Sequence, residues 1–335
     1  MAWAGGLIAA ALAGLWGGMA LWSHLPREHS IALVMTLGWG LAWMIALVRS
    51  ARQRRLRPLL TGGLVLMLAV LTWWSTIAPQ AERQWAPDVA QLVEIEGDRE
   101  HPSLVHLRNV RNFAWRSETD FTPRWEARSY DLAQLRSVDV ALSYWMGPAI
   151  AHTLVSFGFA DGQHLVFSIE IRKEAHEQFN TLAGFFKQYE MALVAADERD
   201  ILAVRTQARG EQVHLYRVQM SQPAMRDLFL AYADQAQQLQ RAPRFYHTLT
   251  ANCTTIVWQL ARRIGQELPL DWRLLASGYL PEYLHARGAL ASELPLPALR
   301  RESQINARAE GWQPTPGMTD AQASADFSRA IRQDL

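Results

Sequence analysis

Cysteine occurs once in the chain, as Cys253. That excludes a disulfide framework within the chain and any cysteine-rich metal centre, and no cofactor is expected. Acidic residues are nearly missing from the first eighty positions, which sets that stretch apart from the remainder. A basic stripe is missing too. Formal net charge is +1 over 335 residues, which speaks against nucleic acid as a partner. No internal repeat is present, so a solenoid is excluded. What remains is an apolar start followed by a sequence of ordinary globular composition.

Three apolar stretches, Ala2–Trp22, Ile31–Val48 and Leu59–Ile77, are each about the length a helix needs to cross a bilayer. Arg49, Arg52, Arg54, Arg55 and Arg57 crowd the loop between the second and third. The loop between the first and second has only Arg27 beside Glu28, with His24 and His29. The positive-inside rule puts the arginine loop in the cytoplasm. The amino terminus is then cytoplasmic, and everything after about Ala78 lies outside, in the periplasm of a bacterial inner-membrane protein. Trp22, Trp73 and Trp74 sit where interfacial aromatics are expected. The first stretch lacks the positively charged start of a cleaved signal peptide. Gly5, Gly6, Gly14, Gly17 and Gly18 would let it pack closely against another helix. Anchoring alone explains it without a role in substrate binding.

The expected fold class is α+β, a three-helix transmembrane segment followed by a periplasmic domain. Expected boundaries are 1–78 for the membrane part, 79–89 for a linker, 90–306 for the domain and 307–335 for a loosely held polar tail. Val93–Ile95 and Leu104–Trp115 read as strands. Arg116, Arg124 and Arg128 could meet lipid phosphate, but ion pairs with Glu118, Asp120 and Glu126 are the simpler reading. Lys173–Met191 reads as a helix with Phe179, Leu182, Phe185, Phe186 and Tyr189 on its apolar side. Met191–Ala196, Ile201–Arg205 and Gln212–Val218 read as strands. The charged turn Asp197-Glu198-Arg199-Asp200 is expected to face solvent rather than bind metal. Pro223–Leu239 is helical, and shorter helices follow around Leu274 and Glu282–Arg287.

The clearest hairpin joins Ile150–Phe159 to His164–Ile171 through Ala160-Asp161-Gly162-Gln163. Its register decides which side chains meet, because a one-residue slip flips every one of them. A two-residue loop would set Thr153 opposite Glu170. A three-residue loop with Gly162 left-handed pairs Phe159 with Gln163 and sets His152 opposite Glu170. The second is preferred, since the glycine sits where that loop needs it.

Cys253 follows Asn252 and precedes the apolar-periodic run Ile256, Val257, Leu260, Ile264. A cysteine in the first turn of a helix meets unpaired N–H groups and the positive end of the dipole, and both favour the thiolate. The bland alternative is a small buried hydrophobe. A thiol nucleophile needs a base, and the base an orienting partner. Among ten histidines, His152 is the best base, on a well-defined strand with Glu170 as candidate orienter. His247, six residues before Cys253, is a rival base, a loop-shaping side chain or a substrate contact. Asn252 and Thr254 are candidate oxyanion or loop residues, and Tyr246 and Arg111 candidate substrate contacts.

The segments Arg111-Asn112-Phe113, Ser117-Glu118-Thr119-Asp120-Phe121, Ser143-Tyr144-Trp145, Ala151-His152-Thr153, Ser156-Phe157-Gly158-Phe159 and Ser168-Ile169-Glu170-Ile171-Arg172 resemble a bacterial family. So do Gly184-Phe185-Phe186, Asp197-Glu198-Arg199-Asp200, Pro243-Arg244-Phe245-Tyr246 and Thr250-Ala251-Asn252-Cys253-Thr254-Thr255. The family is the Lnb N-terminal periplasmic domain proteins, and the resemblance covers about Val93 to Asn306. It implies a permuted papain-like (NlpC-like) thiol fold, and a catalytic histidine and cysteine that map onto His152 and Cys253. The named members are lipoprotein N-acyltransferases whose membrane helices follow the periplasmic domain, whereas here three precede it. The implied activity is acyl transfer, from a phospholipid of the bilayer through a thioester to an amine such as a lipoprotein amino terminus. A membrane-anchored cysteine peptidase or amidase acting on cell-wall peptide would use the same residues with water as acceptor. A non-enzymatic envelope scaffold with Cys253 buried is the third reading.

Overall fold

The structure, a computed structural model, describes residues 2–25, 30–265 and 267–333. The Arg27, Glu28 and His29 stretch lies outside the described residues. The chain divides into two compact units, residues 1–80 with 179–189, and residues 81–178 with 190–335.

The first unit holds α1 (Ala2–His24), α2 (Ile31–Gln53) and, after a π turn at Leu59–Gly63, α3 (Leu64–Thr76). All three spans are long and apolar enough to cross a membrane. Indole side chains join α1 to α2. Trp39 Nε1 donates to Gly14 O and Trp43 Nε1 to Ala10 O, both at 2.7 Å, and the two rings stack at 5.0 Å. A Cβ on Gly14 would lie 2.1 Å from the Trp43 ring and one on Gly17 2.3 Å from the Trp39 ring. Those two glycines therefore clear the space the indoles fill, while Gly5 has nothing near it. In the same unit Lys187 Nζ donates to the carbonyls of Trp74 (3.0 Å) and Ile77 (3.2 Å) at the end of α3, where a cation complements the helix dipole.

The second unit is built on one sheet in the order β1-β2-β9-β8-β7-β6-β10, with β5 also paired to β2. Its strands are β1 (Glu94–Gly97), β2 (Leu104–Arg111), β5 (Trp125–Asp131), β6 (Leu135–Tyr144), β7 (Ala151–Phe159), β8 (His164–Arg172), β9 (Glu190–Asp197) and β10 (Gln212–Arg217). The short pair β3 (Ala114–Trp115) and β4 (Phe121–Thr122) stands apart. Every pairing is antiparallel except β2 with β9. Both faces are covered. Phe157, Phe167 and Leu193 point to α5 (Gln222–Arg241) and α6 (Cys253–Arg263), where Phe229, Tyr232, Ile256 and Leu260 close the core. Leu154, Val166 and Val194 point the other way, to α4 (Glu198–Ile201), α9 (Asn306–Gly311) and α10 (Asp320–Ala330). Between α6 and α9 lie α7 (Leu280–Ala286) and α8 (Leu296–Ser303). Strands buried on both faces explain why β9 carries no polar alternation.

Four expectations are corrected here. Residues 173–191 form no helix, only a 3-10 turn at Ala183–Phe185 before β9. Asn180 Oδ1 accepts the Leu182 N–H in a local turn that competes with helix, and the aromatic stripe splits, with Phe186 and Tyr189 buried and Phe179 exposed. Ile201–Arg205 is not a strand but the end of α4 and a π turn at Val204–Ala208. The turn 197–200 is buried rather than solvent-facing, because each acid has a partner. Asp197 caps α4, Glu198 receives Arg332, and Asp200 receives Arg111. Of the expected 307–335 tail, the described residues 307–333 are packed, not loose. Thr319 and Gln322 form a capping box that starts α10, and Phe327 and Ile331 are fully buried. Arg332 then bridges Asp139 and Glu198 at 2.8 and 2.6 Å. The 79–89 linker is likewise held in part, since Ala86 and Val89 are buried. The arginines at 116, 124 and 128 do form ion pairs, with Asp120, Glu126 and Asp197 among their partners.

Candidate active site

The β7–β8 hairpin takes the three-residue loop. Gly162 has φ +85°, Phe159 N–H donates to Gln163 O, and the register runs from Gly158 opposite His164 to Leu154 opposite Ser168. The same register carried onward sets His152 across from Glu170. The ladder stops at Leu154. By the antiparallel alternation Thr153 N–H would be the next donor toward β8. It donates instead to Cys253 Sγ, at 3.4 Å. Cys253 arrives there from the α6 side of the sheet, and His152, which shares its face with Leu154, from the other.

The first turn of α6 is fixed by its cap. Asn252 Oδ1 accepts the N–H groups of Thr254 (3.0 Å) and Thr255 (2.8 Å), and Thr255 Oγ1 accepts the Asn252 N–H in return. Asn252 Nδ2 donates to Thr248 O. That corrects the oxyanion expectation for Asn252. Its Oδ1 is taken by two of the helix-start N–H groups and its Nδ2 is turned to Thr248 O, which makes it a cap and loop residue. Thr254 stays close, its hydroxyl 2.7 Å from that of Thr153 and 3.9 Å from Sγ.

His152 Nε2 lies 2.7 Å from Ser168 Oγ and 3.2 Å from Glu170 Oε1, and Ser168 Oγ donates to Glu170 Oε1 at 2.7 Å. His152 therefore donates to Ser168, which relays the contact to Glu170 and leaves Nδ1 as the nitrogen available to the thiol. Arg205 Nη2 donates to the same Glu170 oxygen at 2.8 Å, and Arg205 Nη1 lies 3.9 Å from Glu211. Ser168, Arg205 and Glu211 were not singled out from the sequence. A buried carboxylate calls for a counter-ion, but nothing in the chain points to one on a π turn 35 residues later.

These neighbours set the charges. Burial works against the His152 imidazolium, but Glu170 and Cys253 outweigh it and raise its pKa to about 9. Burial likewise opposes the Cys253 thiolate, yet His152, the Thr153 N–H and the Thr254 hydroxyl hold the thiol below its ordinary value. Glu170 stays well below the usual carboxylate range despite burial, because His152 and Arg205 face it. Both shifts favour a thiolate beside an imidazolium, with the cysteine only 6% exposed.

The other candidates are placed as follows. Tyr246 lies against Cys253. Burial and the nearby Cys253 and Glu170 charges push its phenol well above the usual value, while the Cys253 backbone N–H faces its oxygen. His247 shapes its own loop, with Nδ1 accepting the Leu249 and Thr250 N–H groups at 3.3 Å. Arg111 is corrected from substrate contact to buried structural residue. A left-handed Asn109 bulges β2, so that Val110 takes the face of Val105 and Leu107 and Arg111 turns to the opposite face, where it donates to Asp200 at 2.8 and 3.1 Å. Phe113 N–H and Trp115 Nε1 fill the remaining sites on that carboxylate.

A sheet domain that brings a cysteine and a histidine together thus follows three helices long and apolar enough to cross a membrane. Residues 121–278 match the family model described as the Lnb N-terminal periplasmic domain, so the chain carries that domain and is a membrane-anchored protein of the cell envelope. No curated protein and no solved structure matches the chain.

Proposed function

We propose that the protein is a thiol acyltransferase of the envelope. The observation that carries this reading is the buried Cys253–His152 pair at the start of α6, with Glu170 behind the imidazole. Cys253 thiolate attacks the carbonyl carbon of a phospholipid ester. The oxyanion is met by the Cys253 N–H and the Tyr246 phenol, which burial keeps protonated. His152 imidazolium gives its proton to the departing glycerol oxygen as the C–O bond breaks, leaving a thioester and neutral imidazole. An amine, such as a lipoprotein amino terminus, then attacks the thioester. His152 takes the amine proton, the C–S bond breaks, and the thiolate–imidazolium pair returns with an amide formed. A thiol this enclosed disfavours bulk water as acceptor, which supports transfer over hydrolysis. The membrane helices hold the site beside substrates that reside in the bilayer, with the arginine loop and the amino terminus on the cytoplasmic side. Mass spectrometry of Cys253 after exposure to phospholipid vesicles is the test. An acyl thioester supports the reading; cleavage of cell-wall peptide with no adduct would replace it by a peptidase.

A further inference from the structure

Helix α6 turns one face, Thr254, Val257, Trp258 and Ala261, onto a cavity of about 90 Å³. The spacing i, i+3, i+4, i+7 makes these a single stripe. Opposite them stand Val140 and Val155 from the sheet, and among the described residues no charged one lines the space. Among its wall residues only Thr254, Gln219 and Tyr283 are distinctly polar. A pocket lined this way offers polar groups few hydrogen-bond partners and suits hydrocarbon instead. Its position is the second observation. Thr254 adjoins Cys253 in sequence, its hydroxyl is 3.9 Å from Sγ, and it pairs with Thr153, whose N–H donates to the same sulfur. Thr254 thus borders both the thiol and the cavity.

We propose that this cavity is an acyl-chain subsite, receiving the first methylenes of a straight fatty chain while its carbonyl carbon is bonded to Cys253 Sγ. The inference rests on the thiol acyl chemistry proposed above and adds where the chain goes. A peptide backbone would find almost no hydrogen-bond partners there, and unsatisfied amide groups are costly. A hydrocarbon chain needs none. The reacting carbonyl stays beside Sγ, near the Cys253 N–H, while the chain runs past Thr254 into the cavity.

The test uses the full chain in detergent micelles and a series of p-nitrophenyl esters from acetate to octanoate, with thioester formation on Cys253 followed by intact mass. Each methylene that enters should raise the specificity constant about four-fold until the cavity is filled. Ala261→Phe places a ring in the space from a half-buried helix position. It should leave acetyl transfer within about two-fold and cut the octanoate-to-acetate ratio by roughly ten-fold or more. An unchanged ratio in a variant that still takes acetate would overturn the proposal. Should Ala261→Phe lose acetyl transfer as well, Val257→Ala decides, because widening the cavity must shift the preference toward longer chains, and no shift overturns it. If no ester of any length acylates Cys253, the thiol acyl reading itself falls. If acylation occurs with no dependence on chain length, only the subsite falls.

Discussion

Glu170→Gln is the most informative single change, because it keeps shape while removing the charge that holds the imidazolium. In the native site Glu170 Oε1 receives Ser168 and Arg205 and lies 3.2 Å from His152 Nε2. Without its charge, burial and Arg205 both act to lower the His152 pKa, leaving only Cys253 to raise it. The value should fall from about 9 to the free-imidazole value of ~6.5 or below, a loss of about 3 kcal/mol of imidazolium stabilisation. The Cys253 thiol loses its cationic neighbour and must rise. Alkylation of the unique cysteine by iodoacetamide, followed against pH by mass spectrometry, reads this directly. The native protein should react well at pH values where an ordinary thiol does not, and the variant only as pH approaches the usual thiol range. Stability gives an independent reading of sign. A raised His152 pKa stabilises the fold fully below the unfolded value of ~6.5, and that contribution is lost as pH climbs through about 9. Glu170, held low, contributes above its unfolded value and loses the contribution on acidification. The alkaline decline should be weaker in Glu170→Gln. Identical alkylation profiles for the two proteins would refute the ion-pair reasoning.

Two further outcomes follow from the packing. Asn252→Ala removes the acceptor for Thr254 and Thr255 N–H and should cost ~1–2 kcal/mol in thermal or denaturant unfolding, with slower alkylation of Cys253 because the first turn of α6 loosens. Arg332→Met leaves Asp139 with Arg217 alone and Glu198 with only Ser156 among its hydrogen-bond donors, and should destabilise the domain by about 3–5 kcal/mol. It should also expose the segment from α10 onward to limited proteolysis; equal resistance in the two proteins would show that α10 docks without the arginine.

Local signals carried much of this into the sequence. Hydropathy marks the three spans because a bilayer-length helix needs little context. Gly162 carries the hairpin register, since a left-handed position after a type I turn suits glycine, and the register alone sets His152 against Glu170. The cap at Asn252 is written in four consecutive residues. What escaped is long-range. Glu198, Asp200 and Arg205 look like surface charges until Arg332, Arg111 and Glu170 are brought to them. The same holds for the segment after residue 306, whose polar composition hides Phe327 and the arginine that anchors it. The burial of Arg111 against Asp200 depends on the bulge at Asn109, which swaps the faces of Val110 and Arg111, and on a carboxylate 89 residues away.

The central claim is that Cys253 becomes acylated. Native protein and Cys253→Ala, each incubated with phospholipid vesicles, can be compared by mass spectrometry before and after neutral hydroxylamine. The native protein should carry a fatty-acyl mass on the peptide bearing Cys253, lost with hydroxylamine and never seen in the alanine variant. A native protein that alkylates readily at Cys253 yet carries no acyl group under any of these conditions would contradict it.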